Sequence, residues 1–296
     1  MSTPVSLTQN ITADGIYKPE ANRYHLYINK GCPFAHRALI ALYIKGLEHA
    51  IHVSFTHPAM TTNGWVFDAN YPGSTADQAQ GFPGVRELYL TTDPTYQGKY
   101  TVPVLWDTQT KTIVNNESAQ ILRIFNSELN NLAKHPEIDL YPEAQRKDID
   151  AFFEWANPAI ISGVYGPGYA KSQEDYDAKF DKFYQSLDEL NNRLAAHRYA
   201  VGSTLTEMDV KLFVTLIRFE PAYSLAYKLN LKSIREYPNI REYIKDLYQI
   251  PDIKRSVEFD HIKKIYFVSP TTPEPIIVPR GPALQWLDEP STRAKM

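Results

Sequence analysis

Arg23-Tyr-His-Leu-Tyr-Ile-Asn-Lys-Gly-Cys-Pro-Phe-Ala-His-Arg-Ala-Leu-Ile-Ala-Leu-Tyr-Ile-Lys-Gly46 changes its hydrophobic period midway. Up to Asn29 the residues alternate, with Tyr24, Leu26 and Ile28 on one side and His25 and Tyr27 on the other, which predicts a strand. Lys30-Gly31 turns the chain. From Pro33 the spacing of Phe34, Leu39, Leu42 and Tyr43 is helical. Pro33 stands at the first helical position, where a missing N–H costs nothing, and Gly46 is the stop. Ala50-Ile-His-Val-Ser-Phe55 is a second strand. Strand, helix, strand in this order is a βαβ unit, with parallel pairing and a right-handed crossover.

Outward from this unit, residues 1–22 read as a polar arm without periodicity. Residues 56–98 are rich in Gly and Pro and only partly regular, a length at which loops commonly carry function. Thr101-Val-Pro-Val-Leu-Trp106, a turn at Asp107–Lys111, and Thr112-Ile-Val-Asn115 predict an antiparallel hairpin. Asn116-Glu-Ser118 then leads into a helix bearing Ile121, Leu122, Ile124 and Phe125. The result is βαβ–ββα around a small sheet. After Pro142 the pattern is helical: 143–156 with Ile149, Phe152, Phe153 and Trp155, then 173–197 with an apolar stripe from Tyr176 to Leu194. Thr206-Glu-Met-Asp209 is a helix-capping signature before Val210, Phe213, Val214 and Ile217. Two shorter helices are expected near 238–249 and 252–265, and the Pro-rich stretch from Ser269 is expected to be extended. The reading is an α/β domain over 1–135 and an all-α domain over 136–296.

Composition narrows the function. Of 296 residues, 43% are hydrophobic and 22% charged, so the chain can bury a real core. A net charge of −3 provides no field to select nucleic acid or an anionic membrane. No apolar run reaches the roughly 20 residues of a membrane helix, and the N-terminus lacks a signal-peptide pattern, so a reducing, cytoplasmic setting is expected. There is one cysteine, Cys32. An intrachain disulfide is therefore excluded, and any thiol redox cycle must borrow its second sulfur from another molecule.

Cys32 precedes Pro33 at a strand-to-helix junction, which sets its sulfur at a helix N-cap. Unsatisfied N–H groups and the positive end of the helix dipole there favour thiolate, the nucleophilic form. A lone cysteine is otherwise most often buried and inert; the junction reverses that preference. His36 reads as packing or a structural hydrogen bond rather than a base, and Arg37, one turn in, as a solvated helix face before a source of positive potential at the sulfur. Val102-Pro103 at the start of a strand is either a cis-Pro beside the sulfur, as in thioredoxin-like folds, or an ordinary edge proline. Glu117-Ser118 is either a plain N-cap or a seat for a carboxylate.

With these residues in order, the chain resembles the xi-class glutathione transferases, the S-glutathionyl-hydroquinone reductases. The likeness runs from Tyr24 to about Pro282. Its motifs are Gly31-Cys-Pro-Phe-Ala-His-Arg37, Gly64-Trp65, Tyr100-Thr-Val-Pro-Val-Leu-Trp-Asp107, Ile113-Val-Asn-Asn-Glu-Ser118 and Gly163-Val-Tyr165. Leu205-Thr-Glu-Met-Asp209, Arg218-Phe219 with Tyr223, and His261-Ile-Lys263 with Tyr266 follow.

The resemblance implies a thioredoxin-like N-terminal domain and an all-α C-terminal domain, the glutathione-transferase fold. It implies that Cys32 is the nucleophile, that Trp65 covers glutathione, that Lys99, Tyr100, Thr101, Val102 and Pro103 hold its backbone, and that Glu117 and Ser118 hold its γ-glutamyl end. Tyr165 is then the proton donor, while Tyr223 and Tyr266 face the thiol and lower its pKa. The implied activity is reduction of S-glutathionyl-hydroquinones with glutathione as co-substrate and without metal, flavin or nicotinamide, in a homodimer. Two positions depart from the family. Lys99 stands where Arg is usual, which keeps the charge and loses the planar fork. Ile265 and Phe267 flank Tyr266 where His and Tyr are more common. The competing readings are an omega-like thiol transferase or dehydroascorbate reductase, which needs Cys32 but not Tyr165, and a non-catalytic binding module.

Overall fold

In the computed structural model, which describes residues 7–272 and 274–296, the chain divides into two compact units. The first comprises residues up to 139 together with 256–278, and the second 140–255 together with 279–296.

The first unit is built on a four-stranded sheet of order β2-β1-β3-β4, with β1 Tyr24–Ile28, β2 Ile51–Phe55, β3 Val104–Asp107 and β4 Thr112–Asn115. β1 runs parallel to β2, pairing Tyr24 with Ile51 and Ile28 with Phe55. It runs antiparallel to β3, which in turn pairs antiparallel with β4. All five residues of β1 are buried, including His25 and Tyr27, because an interior strand covered on both faces has no solvent side. Helix α1, Pro33–Ile44, has proline at its first turn as expected. It ends where Gly46 takes φ +64 and the N–H of Leu47 returns to the carbonyl of Leu42 at 3.0 Å, a closure that the left-handed residue permits. Helix α3, Ser118–Arg123, packs on α1 and continues as a wider π-turn over Ile124–Glu128.

One reading is filled in and two are corrected here. The 56–98 stretch contains a helix, α2 Val85–Thr92, which packs against β4. The expected 252–265 helix is two, α9 Pro251–Lys254 and α10 Phe259–Phe267, and the chain passes from one unit to the other between them. Residues 256–278 consequently belong with the first unit rather than with the rest of 136–296. The physical reason is the fit of α10 to the β1–α1 turn: a Cβ at Gly31 would lie 2.5 Å from the carbonyl oxygen of His261 and 3.0 Å from Cβ of Ile265.

The second unit is helical: α4 Arg146–Ala156, α5 Gln173–Arg193, α6 Glu207–Leu216, the single turn α7 Ser224–Ala226, α8 Pro238–Tyr248, and α9. The capping box predicted at Thr206–Asp209 is present, with Thr206 N–H donating to Asp209 Oδ2 at 2.8 Å. Asp209 is fully buried; its Oδ1 accepts from Tyr243 Oη and from Ala200 N–H, both at 2.7 Å. Among the described residues the C-terminal stretch makes a turn at Ser269–Thr272 and two short 3₁₀ turns, Gln285–Asp288 and Arg293–Lys295, and is otherwise without helix or strand. Buried Arg293 fastens that end by donating to the carbonyls of Leu194, His197 and Arg198 beyond α5.

Candidate active site

Asn29 shapes the turn that presents the cysteine. Its side-chain amide donates to Thr56 Oγ1 at 2.9 Å and to the His57 carbonyl at 2.8 Å, while its Oδ1 accepts from Gly31 N–H at 2.8 Å. Its own carbonyl accepts from Cys32 N–H at 3.1 Å. Cys32 is the N-cap of α1 with extended backbone (φ −72, ψ 121) and is 8% exposed. Its Sγ makes no capping bond to α1; it donates to the carbonyl of Val102 at 3.8 Å, across a Val102-Pro103 peptide that is cis. The cis alternative for that peptide is thus the one found. His36 is fully buried, and its Nε2 shares a 2.7 Å hydrogen bond with Ser256 Oγ, the structural role expected of it.

A cleft of about 320 Å³ opens at the sulfur, lined by Cys32, Phe34, Trp65, Thr101, Val102, Pro103, Asn116, Glu117 and Ser118. Seven of the residues proposed from sequence meet there. Trp65 is carried by a loop tied to the start of α2, with Val85 N–H donating to the Trp65 carbonyl at 2.8 Å. The strip before Pro103 rests on tyrosines: Tyr89 Oη donates to the Thr101 carbonyl at 2.9 Å, and Tyr96 Oη to the Lys99 carbonyl at 3.1 Å. Burial raises the Tyr89 pKa and pushes that of Tyr96 up to about 12, so both remain neutral donors. Glu117 accepts from Ala119 N–H at 3.3 Å and from Ser118 Oγ at 3.4 Å.

Lys99 and Tyr100 are not among the lining residues. Lys99 is exposed, and the Tyr100 ring packs 5.8 Å from Tyr96. Tyr266 is half-buried on α10, in the same unit as Cys32. Tyr165 and Tyr223 lie in the second unit, where their hydroxyls are 3.3 Å apart and their rings meet edge to face. Tyr223 ends a π-turn, Phe219–Tyr223, and Tyr165 ends a 3₁₀ turn, Gly163–Tyr165.

Two more residues find their place only in the fold. Phe34, part of the helical spacing of α1, is 41% exposed and lines the cleft. Arg37 is buried, not solvated: its guanidinium lies 4.8 Å from the Phe34 ring centre and donates to Ser118 Oγ at 3.4 Å. An apolar residue just inside a helix start, followed one turn later by arginine, was the available signal. Asn116, at the lead-in to the α3 helix, also lines the cleft. Among the described residues, no three His, Cys, Asp or Glu side chains are grouped to hold a metal, and no helix is long and apolar enough to cross a membrane.

Comparison with known proteins adds the lineage. Residues 31–128 match the glutathione S-transferase N-terminal domain and 173–246 the glutathione S-transferase C-terminal domain. The chain is 44% identical to glutathionyl-hydroquinone reductase YqjG of Escherichia coli over 96% of this chain and 88% of that one. The glutathione-bound YqjG structure superposes with a TM-score of 0.91 at 41% identity, covering 98% of this chain and 96% of the other. Glutathione S-transferase omega-like 2 of Schizosaccharomyces pombe is 40% identical over 90% of this chain and 87% of its own. The Xi glutathione transferase of Phanerochaete chrysosporium superposes with a TM-score of 0.90 at 42% identity, covering 95% and 97% of the two chains. On its cleft, its two-domain fold and these likenesses, the chain belongs to the glutathione S-transferase family, in its Xi class.

Proposed function

We propose that this enzyme reduces S-glutathionyl-hydroquinones to free hydroquinones at the expense of glutathione, through Cys32. The observation that carries this reading is a single cysteine opening onto one cleft with an aromatic cover, Trp65, a cis-Pro strip at Thr101–Pro103 and a polar end at Glu117–Ser118. Such a cleft suits a γ-glutamyl peptide whose sulfur must meet the cysteine. The likeness to a relative named glutathionyl-hydroquinone reductase supports the aryl substrate.

In the proposed cycle, the Cys32 thiolate attacks the sulfur of the glutathionyl-hydroquinone. A Cys32–glutathione disulfide bond forms, and the sulfur–carbon bond breaks with its electron pair going to the ring carbon. An aryl carbanion is too poor a leaving group to depart unprotonated, so Tyr165 gives its phenol proton to that carbon. A second glutathione, whose thiol proton restores the Tyr165 phenol, then attacks the mixed disulfide as its thiolate, releasing oxidised glutathione and regenerating the Cys32 thiolate. One cysteine suffices because glutathione supplies the other sulfur.

Trp65 covers the glutathione, Lys99, Tyr100, Thr101, Val102 and Pro103 hold its peptide backbone, and Glu117 with Ser118 holds its γ-glutamyl end. Tyr223 and Tyr266 donate hydrogen bonds to the sulfur and favour its thiolate. If so, Tyr223→Phe and Tyr266→Phe each move the alkylation-versus-pH curve of Cys32 to higher pH; curves unchanged in both would remove that role. The enzyme acts as a homodimer in the cytoplasm, which light scattering and cell fractionation test. An omega-like thiol transferase, the second reading that the Schizosaccharomyces relative's name favours, would reduce small mixed disulfides and leave the aryl thioether intact.

A further inference from the structure

We propose that the N-terminal arm is a positioning element for glutathione binding, acting through Asn115 and Asn116 on both ends of the peptide seat. The inference rests on the proposed seat at Thr101–Pro103 and Glu117–Ser118.

The arm is tied to the outer edge of β4 at one isolated antiparallel bridge. Gln9 N–H donates to the Val114 carbonyl at 2.8 Å, Asn116 N–H donates to the Leu7 carbonyl at 2.9 Å, and Thr8 bridges Asn115 in antiparallel register. Its far end is anchored by fully buried Ile11, by Tyr17 Oη at 3.0 Å from Thr112 Oγ1, and by Arg23, whose guanidinium donates to the Ile16 carbonyl at 2.8 Å. Ahead of these anchors Thr8, Gln9 and Asn10 are exposed, so their hold on β4 is mainly backbone hydrogen bonding.

Both asparagines transmit that hold inward. Asn115 is buried; its side-chain amide donates to the Gln9 carbonyl and to Gln120 Oε1, each at 2.8 Å. Its Oδ1 accepts from Glu117 N–H at 2.8 Å, which sets the backbone of the γ-glutamyl seat. Asn116, whose own N–H is held by Leu7, donates from its side chain to Tyr89 Oη at 3.2 Å. Tyr89 in turn donates to the Thr101 carbonyl on the other side of the cleft. A lost arm therefore removes one hold on each of the two residues that link the peptide strip to the γ-glutamyl end. Because coupling is reciprocal, glutathione in the cleft must also tighten the arm.

The test is a matched pair of substitutions in the full-length enzyme, remote from the cleft. Gln9→Pro removes the N–H that reaches Val114, while Gln9→Ala keeps it. We expect the glutathione Kd by calorimetry, and the glutathione KM, to rise about fivefold or more in Gln9→Pro with kcat within about twofold, and to be unchanged in Gln9→Ala. In the wild type, saturating glutathione should slow hydrogen exchange at the Gln9 and Asn116 amides. Equal Kd values in the two variants, or a fall in kcat at constant KM, would overturn the inference. Glu117→Gln and Ser118→Ala are measured alongside. If they too leave glutathione binding untouched, the seat itself is misplaced; if they weaken it while Gln9→Pro does not, the arm alone is refuted.

Discussion

Replacing Gly31 by alanine should destabilise the protein and disturb Cys32 without altering any group that touches substrate. The new Cβ would stand 2.5 Å from the His261 carbonyl oxygen, where ordinary contact begins at 3.4 Å, so about 0.9 Å of relief is required. The obstacle is helix backbone, with Ile265 Cβ and Asn29 Oδ1 each 3.0 Å away, so no flexible side-chain tip can yield. Overpacking of this kind costs about 1–3 kcal/mol. For a chain of this size that corresponds to a Tm lower by roughly 2–5 °C, read by calorimetry. Gly31 immediately precedes the nucleophile, and displacements near 1 Å can cost about 100-fold in rate, so kcat/KM should fall more steeply than the folded fraction. A Tm within 1 °C of wild type and unchanged kcat/KM would refute the close packing of α10 on this turn.

Other outcomes follow from individual groups. Burial depresses the His25 pKa from 6.5 to about 4, so folding favours neutral His25; its contribution is intact above about pH 6.5 and is lost as pH falls toward 4. Unfolding free energies from urea titration at pH 7 and 4.5 should therefore differ by about 2–3 kcal/mol more in wild type than in His25→Gln, and an equal difference would count against it. Asp107→Asn should cost about 3–5 kcal/mol in chemical denaturation, because buried Arg23 loses a two-pronged partner at 2.8 and 3.0 Å; a loss under 1 kcal/mol contradicts this. Lys99→Arg, which restores the forked donor, should lower the glutathione KM about two- to fivefold, checked by steady-state kinetics. Tyr165→Phe should depress turnover of aryl thioethers at least about 100-fold while sparing exchange with small disulfides; equal losses on both would end its role as the acid.

How far the sequence could be read depended on the range of the signal. The β1–α1–β2 unit was legible because alternation, Pro33 and Gly46 are local cues, and the same holds for the capping box at Thr206 and Asp209. Helix α2 escaped because Val85–Thr92 is only eight residues long and ends in two threonines, poor helix formers, so periodicity had little length in which to appear. The attachment of α10 to the first unit was hidden for a different reason. Its partner, Gly31, lies more than 200 positions upstream, and a glycine announces a close approach without naming what approaches. The arm gave no pattern because it binds through its backbone, which is blind to side-chain period. Among the candidate site residues, Cys32, Pro103 and Ser118 were marked by their positions at element ends. Trp65, Tyr165, Tyr223 and Tyr266 had no such mark and entered only through family resemblance. Arg37 was misread because charge on a helix face is usually solvated, and only the fold reveals that Ser118 and Phe34 enclose it.

The most direct test of the account is turnover of a glutathionyl-hydroquinone with excess glutathione, wild type beside Cys32→Ser. The account predicts release of free hydroquinone and oxidised glutathione in equal amounts by the wild type and neither product from the variant. No hydroquinone from the wild type, with small mixed disulfides still reduced, would contradict it and leave a thiol transferase.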